Sequence, residues 1–139
     1  MKIYFAGSIR GGRQDQALYF EIIKQLEKFG TVLTEHVGNV KVVETETARK
    51  DTDIFARDVN WLTQSDAVVA EVTSPSLGVG YEIAMAESLG KKIICIFRPA
   101  NDRHLSAMIA GNPRLQVSEY TDLVDLDKIF SDFFYLRNR

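Results

Sequence analysis

Short apolar runs alternate with amphipathic stretches along the chain, and this alternation sets the fold class it predicts. Ile3 to Ala6 reads as a buried first strand, closed by Gly7-Ser8-Ile9-Arg10-Gly11-Gly12. From about Gln14 to Phe29, Leu18, Ile22 and Leu26 recur at helical spacing, and Gly30 stops that helix. Thr31-Val32-Leu33 supplies a second strand, and residues 38–50 are polar and irregular, which predicts a mobile loop. A second helix is expected from near Asp51 to Thr63, with Phe55, Val59 and Leu62 on its inner face. Ala67 to Val72 is the third strand, and Thr73 to Gly80 a turn-rich connection into a third helix ending near Gly90. Lys92 to Phe97 and Leu115 to Val117 give two more strands, and Leu123 to Tyr135 a last helix.

Repeated strand–helix units imply a single α/β domain over residues 1–139, a doubly wound five-stranded parallel sheet of the flavodoxin or Rossmann kind. The expected strand order is 2-1-3-4-5. That order puts a topological switch between strands one and three, where ligands bind outside the carboxyl ends. The loops leaving those two strands are the richest in glycine and serine, so fold and loop chemistry point to one crevice.

Composition narrows the classes. A hydrophobic fraction of 45% and a charged fraction of 26% suit a soluble globular domain, and a net charge of −2 gives no basic field for nucleic acid or anionic membrane. The apolar runs are too short to span a bilayer and the first residues show no signal-peptide pattern, so an intracellular, cytoplasmic address is expected, with a nuclear one open to a eukaryotic chain. The single cysteine, Cys95, lies in an apolar run and reads as a buried, inert thiol.

The first loop, Gly7 to Arg13, leaves a strand and enters a helix. Its glycines permit close backbone approach, Ser8 can donate a hydrogen bond and Arg10 offers a charged fork for an anion. The spacing fits neither the Walker lysine motif nor the dinucleotide fingerprint. Taken alone, the loop can equally be a glycine-eased turn with a solvated arginine. In the second loop, Ser76 and the amides around Gly78 can hold phosphate oxygens at a helix start. Together the loops favour a small phosphorylated ligand.

Glu82 falls in the expected first turn of the third helix. It either stabilises the helix dipole or is kept ionised by it as a nucleophile. Asp58, with Trp61 one turn on, is a solvated helix residue or the partner carboxylate of a sugar-transfer site. Tyr4 is by default a buried aromatic whose hydroxyl needs a partner. His36 stands at a loop start within reach of a ligand, whereas His36 and His104 are too isolated for a metal site. Asp66, Glu71 and Glu87 read as structural or solvated, and Ser106 carries no local signal beyond the turn Leu105-Ser106-Ala107-Met108.

These blocks resemble the 2′-deoxynucleoside 5′-phosphate N-hydrolase family, relatives of the nucleoside 2-deoxyribosyltransferases. The resemblance rests on Tyr4 to Gly12, on Gly30-Thr31-Val32-Leu33-Thr34-Glu35-His36, and on Asp58 with Trp61-Leu62. It is most specific over Val69 to Glu82, and Phe97-Arg98-Pro99 and Leu105 to Ile109 add to it. It implies hydrolysis of 2′-deoxynucleoside 5′-monophosphates to free base and 2-deoxyribose 5-phosphate. Glu82 would attack the anomeric carbon, Asp58 would be the second catalytic carboxylate, and Tyr4 would help position the reacting groups. Ser8, Ile9, Arg10, Gly11, His36, Ser76, Gly78, Ser106 and Met108 fall on ligand-contacting positions. Ser106 matches a serine that reaches phosphate from the neighbouring subunit, which implies a homodimer. No metal or organic cofactor is implied, and no nucleic-acid or membrane partner. Two other readings stay open: deoxyribosyl transfer between bases, and a module that binds nucleoside monophosphates without turnover.

Overall fold

The computed structural model describes residues 1–9, 15–39 and 41–136. In chain order the elements are β1 (Lys2–Ala6), α1 (Gln16–Leu26), β2 (Thr31–Val32), a 3-10 turn (Glu35–Gly38), α2 (Val42–Thr47), α3 (Asp51–Gln64), β3 (Ala67–Glu71), α4 (Leu77–Ser88), β4 (Lys92–Phe97), α5 (Ala107–Ala110), β5 (Gln116–Glu119) and α6 (Asp125–Tyr135). The strands form one parallel sheet in the expected order, β2-β1-β3-β4-β5.

Strand side chains alternate between faces, and this splits the core into two layers. Ile3, Phe5, Val69, Ile94 and Ile96 pack with α1 and α6 through Tyr19, Ile22, Leu26, Leu126 and Phe130. Tyr4, Ala6, Val68, Ala70, Ile93 and Cys95 pack with α3 and α4 through Leu62, Val79, Ile83 and Ala86. The same parity that buries Ile3 and Phe5 on one face sends Tyr4 toward α3 and α4. β3 is buried along its whole length, as a central parallel strand must be. Cys95 is fully buried in the middle of β4, where desolvation pushes its thiol up to about 12.

Geometry requires glycine at several positions, two of them in turns beside the sheet. Gly90 has φ +70° and closes α4 in the left-handed region. At Gly7 a methyl group would lie 2.9 Å from the Tyr19 ring, so only glycine lets the first loop pass over that side chain.

The structure corrects four expectations. Residues 38–50 are not an irregular loop, because α2 occupies Val42–Thr47 and buries Val42 and Glu46, just after a 3-10 turn that buries Val37. Glu46 is held there by a side-chain ion pair (described below), which leaves no apolar periodicity. Phe55 lies on the face of α3 that looks toward α4, but it is 54% exposed rather than packed in the core. The third helix starts at Leu77, so Gly78 and Gly80 lie inside it and Glu82 falls in its second turn. The last strand runs from Gln116 to Glu119, slightly later than Leu115 to Val117. Among the described residues no helix is long and apolar enough to cross a membrane.

Candidate active site

α3 and α4 lie over the β1–β3 switch point and enclose a cavity of about 230 Å³. On α4 the facing residues are Gly78, Tyr81, Glu82 and Met85; on α3 they include Ile54, Phe55, Asp58 and Leu62. Both sets follow the three-and-four spacing of one helical face. Ser76 caps α4, its Oγ accepting from Val79 N at 3.3 Å. A methyl group built on Gly78 would sit 3.9 Å from both Ser76 Oγ and Glu82 Oε1, so its missing side chain keeps open the ground between them.

Tyr4 rises from β1, almost fully buried, and its hydroxyl donates a hydrogen bond to the Glu82 carboxylate. Burial raises the Tyr4 pKa first, and the charges of Glu82 and Asp58 raise it further, so Tyr4 remains a phenol donor. Glu82 is pushed up to about 7 by burial, with Asp58 adding like-charge repulsion and the Tyr4 bond opposing both. The expectation that the helix terminus holds Glu82 in the ordinary carboxylate range is therefore overturned. Glu82 is one turn too far along α4 for the terminal amides to win, since that field fades within the first turn.

Asp58 is tied down differently. Arg57 Nε and Nη2 each approach Asp58 Oδ1 at 2.9 Å. The same guanidinium grips Glu46 on α2 in a fork, at 3.0 Å to Oε1 and 3.1 Å to Oε2. Arg57 also lies 4.9 Å over the Trp61 ring. His36 Nε2 is 3.3 Å from Glu46 Oε1, and its ring centroid is 5.5 Å from that of Trp61. Burial and then Arg57 lower the His36 pKa, so a neutral imidazole is favoured.

Glu46 is 5% exposed, and its pairing with Arg57 ties α2 to α3, while the 3-10 turn packs on α1 through Val37 and Gly38. Neither partner was marked by sequence reasoning. The available signal was weak: an acid at the close of a short Val42–Glu46 turn and a base beside Asp58.

The remaining expected site residues divide. Ser8 is 6% exposed and its N–H donates to Tyr19 Oη at 3.2 Å, while Ile9 packs against the α1 core. Arg10 and Gly11 lie outside the described residues. Ser76, Ser106 and Met108 do not share the Asp58–Glu82 cavity. They line a larger groove of about 580 Å³ along another face of α4, which Leu77, Gly80, Ala84 and Glu87 border. Ser106 caps α5, accepting from Met108 N at 3.3 Å, and Met108 is 81% exposed.

Comparison with known proteins places the chain in a family. The profile of the nucleoside 2-deoxyribosyltransferase family matches residues 3–123. A Tetraodon nigroviridis protein named 5-hydroxymethyl-dUMP N-hydrolase is 49% identical over 139 residues, covering 96% of this chain and 97% of its own. A Rattus norvegicus protein of the same name is 54% identical over 125 residues, covering 86% of this chain and 77% of its own. A Nematostella vectensis protein provisionally named 2′-deoxynucleoside 5′-phosphate N-hydrolase 1 is 51% identical over 138 residues, covering 96% of this chain and 93% of its own. Among solved structures, a Clostridium botulinum CMP N-glycosidase superposes with TM-score 0.65 at 16% identity, covering 94% of this chain and 98% of that one. A 2-deoxyribosyltransferase from Bacillus psychrosaccharolyticus gives TM-score 0.66 at 16% identity, covering 91% and 90%. Those two share the fold. Matched over most of its length by the family profile and at about half identity by its relatives, the chain belongs to the nucleoside 2-deoxyribosyltransferase family.

Proposed function

We propose that this protein hydrolyses the N-glycosidic bond of 2′-deoxynucleoside 5′-monophosphates, releasing free base and 2-deoxyribose 5-phosphate. The observation that carries the reading is that Asp58 and Glu82 line one cavity between α3 and α4, with the buried Tyr4 hydroxyl against Glu82, in a chain about half identical to proteins named N-hydrolases. An ionised Glu82 attacks the anomeric carbon as the bond to the base breaks, and the bonding electrons leave with the base, which takes up a proton. Water then displaces Glu82 from the sugar, losing its proton as the new C–O bond forms. Two carboxylates dividing nucleophilic and proton-transfer roles is the pattern of retaining glycosidases. Tyr4, held as a phenol, donates to Glu82 and orients it, while Asp58 serves proton transfer to the base and from water.

Ser8 and Ser76 belong to the phosphate side of this reading. Arg10 and Gly11 join them from the first loop, His36 and Ile9 line the approach, and Gly78 admits the sugar. Ser106 and Met108 reach the site of the neighbouring subunit in a homodimer. The exposed apolar side chains of Leu77 and Met108 along the 580 Å³ groove support such an interface. A cytoplasmic address suits a nucleotide substrate. Mixing Glu82→Ala with Ser106→Ala subunits should restore about a quarter of the activity if sites are shared across the dimer, by random assortment.

The direct test incubates the protein with deoxynucleoside monophosphates, including 5-hydroxymethyl-dUMP, beside ribonucleotides and unphosphorylated deoxynucleosides, and follows base release. Release from the deoxynucleoside monophosphates alone, abolished by Glu82→Ala, is expected. Silence on every substrate would move a binding role without turnover to first place. The family's description favours a second reading, deoxyribosyl transfer. Adding a second base would then yield exchanged nucleotide in place of sugar phosphate.

A further inference from the structure

A second charged cluster sits at the carboxyl edge of the sheet, separate from Tyr4, Asp58 and Glu82. Asp15, just before α1, is 8% exposed; its Oδ1 accepts from Arg98 Nη2 at 2.6 Å and its Oδ2 accepts from Ser74 Oγ at 3.0 Å. Arg98 follows β4 directly, with Nε 3.5 Å from Glu71 Oε2 and its backbone N–H donating to Thr73 Oγ1 at 3.0 Å. Glu71 closes β3 with no exposed surface. Its Oε1 accepts from Thr73 N at 2.7 Å, and its Oε2 accepts from the Tyr120 hydroxyl. Arg103 Nη1 donates to Ser74 Oγ at 3.1 Å and to Thr73 O at 3.3 Å.

Burying two carboxylates costs several kcal/mol per ion unless each is paired and hydrogen-bonded. Nothing in the proposed chemistry uses them, so the cost calls for another purpose. The connectivity suggests one. The Ser74–Asp15 bond joins residues 59 apart in sequence. They stand at the end of the first loop and in the second, the two loops read as the phosphate side. Arg98 holds both at once, Asp15 through its side chain and Thr73 through its backbone.

The serines of the second loop are thereby given different tasks. Ser74 spends its proton on Asp15 and accepts from Arg103, so its hydroxyl is fully engaged. Ser76 only accepts, from Val79 N, and keeps its hydroxyl proton for an incoming oxygen.

We propose that Asp15 and Arg98 are positioning residues for the 5′-phosphate, fixing the second loop through Ser74 and Thr73 so that Ser76 meets the phosphate. The inference rests on the monophosphate reading above and adds the residues that make it selective. A mere brace for the fold would affect every ligand alike, whereas a phosphate gauge affects only those that carry phosphate.

The test uses Ser74→Ala, which deletes the bridging hydroxyl with little strain, and Asp15→Asn, which removes the charge at constant shape. For each variant that retains the parent's cooperative melting, KM for a deoxynucleoside monophosphate is measured. Competitive inhibition by 2-deoxyribose 5-phosphate and by the unphosphorylated deoxynucleoside is measured beside it. A rise of about tenfold is expected in KM and in the sugar-phosphate inhibition constant for Asp15→Asn, and a smaller rise for Ser74→Ala, in line with loss of the Arg98 ion pair and then of the bridging hydroxyl alone. Inhibition by the deoxynucleoside should stay within about twofold, and so should kcat. Equal shifts for both inhibitors, or none for the sugar phosphate, overturn the proposal. If the unaltered protein releases base from no monophosphate, the functional reading itself fails and takes this inference with it. That outcome is visible before any substitution is made.

Discussion

The two charged clusters at the carboxyl edge of the sheet are built from similar parts and behave in opposite ways. On the α3–α4 side stand Tyr4, Asp58, Glu82 and Arg57; on the β4–β5 side stand Tyr120, Asp15, Glu71 and Arg98. Arg98 lies between its two carboxylates and touches both. Arg57 divides itself between Asp58 and Glu46, and among the described residues Glu82 has the Tyr4 hydroxyl and no cation. The difference lies in which carboxylate is left without a cation. Glu82 pays for its burial with a pKa near 7, and that is the group the proposed reaction needs. One cluster is organised for stability and loop spacing, the other for reactivity.

Glu82→Gln is the sharpest way to expose the contrast. Base release should fall by at least about 10³-fold, as expected when a nucleophile is removed. Stability should move the other way. The folded chain holds the Glu82 proton up to a pKa of about 7, while the unfolded chain releases it near 4.5. Between those values the folded state binds more protons, so stability falls as pH rises through the window. Removing the carboxyl should therefore stabilise the protein above pH 7, by roughly 3 kcal/mol at most, and change little near pH 4. Urea titrations at both pH values would measure this. A destabilised Gln variant at pH 8 would break the comparison.

Asp58→Asn comes next, with base release falling by about 10²-fold, the scale of one acid–base group. It also removes the like charge beside Glu82, so the pH midpoint of the remaining activity should move down from about 7 and stop above 4.5, because burial is the larger cause. A pH–rate profile that does not move would mean that the two carboxylates do not sense each other.

In the paired cluster, Arg98→Met should lower stability as well as weaken sugar-phosphate binding. It strands Asp15 and Glu71, and a loss of about 2 kcal/mol is expected, less than for a fully buried pair because the Arg98 side chain is 31% exposed. The smallest effect belongs to Glu46→Gln. It keeps a hydrogen bond to Arg57 but gives up a charge, and should cost about 1 kcal/mol in urea unfolding with kcat lowered only a few-fold.

The sheet was legible because its evidence is periodic. Strand runs such as Ile3–Ala6 and Ala67–Val72, the helix breaks at Gly30 and Gly90, and the strand order all follow from local pattern and the rules of parallel connection. From local pattern Tyr4, Asp58 and Glu82 were visible only singly, and it was the family resemblance that joined them, since no local rule says that a strand residue, a mid-helix aspartate and a second-turn glutamate meet. Bond pairs such as Glu46–Arg57 and Asp15–Arg98 were not legible at all. Their members are 11 and 83 residues apart, and an ion pair leaves no periodic trace in either segment. The protonation of Glu82 was misread for a related reason. Helix position suggested a stabilising field, whereas the deciding quantity was how much protein closes over the carboxylate.

The fully buried thiol of Cys95 equips the molecule with its own unfolding reporter. Because it is the single cysteine and its pKa is pushed up to about 12, a disulfide reagent in neutral solution finds no thiolate until β4 parts from its neighbours. Labelling kinetics in the native protein therefore measure opening of the central sheet, one event per chain and without a dye or a substitution. Sugar-phosphate binding should slow that labelling in proportion to its grip on the folded state, so the same thiol can follow ligand affinity in variants that no longer turn over.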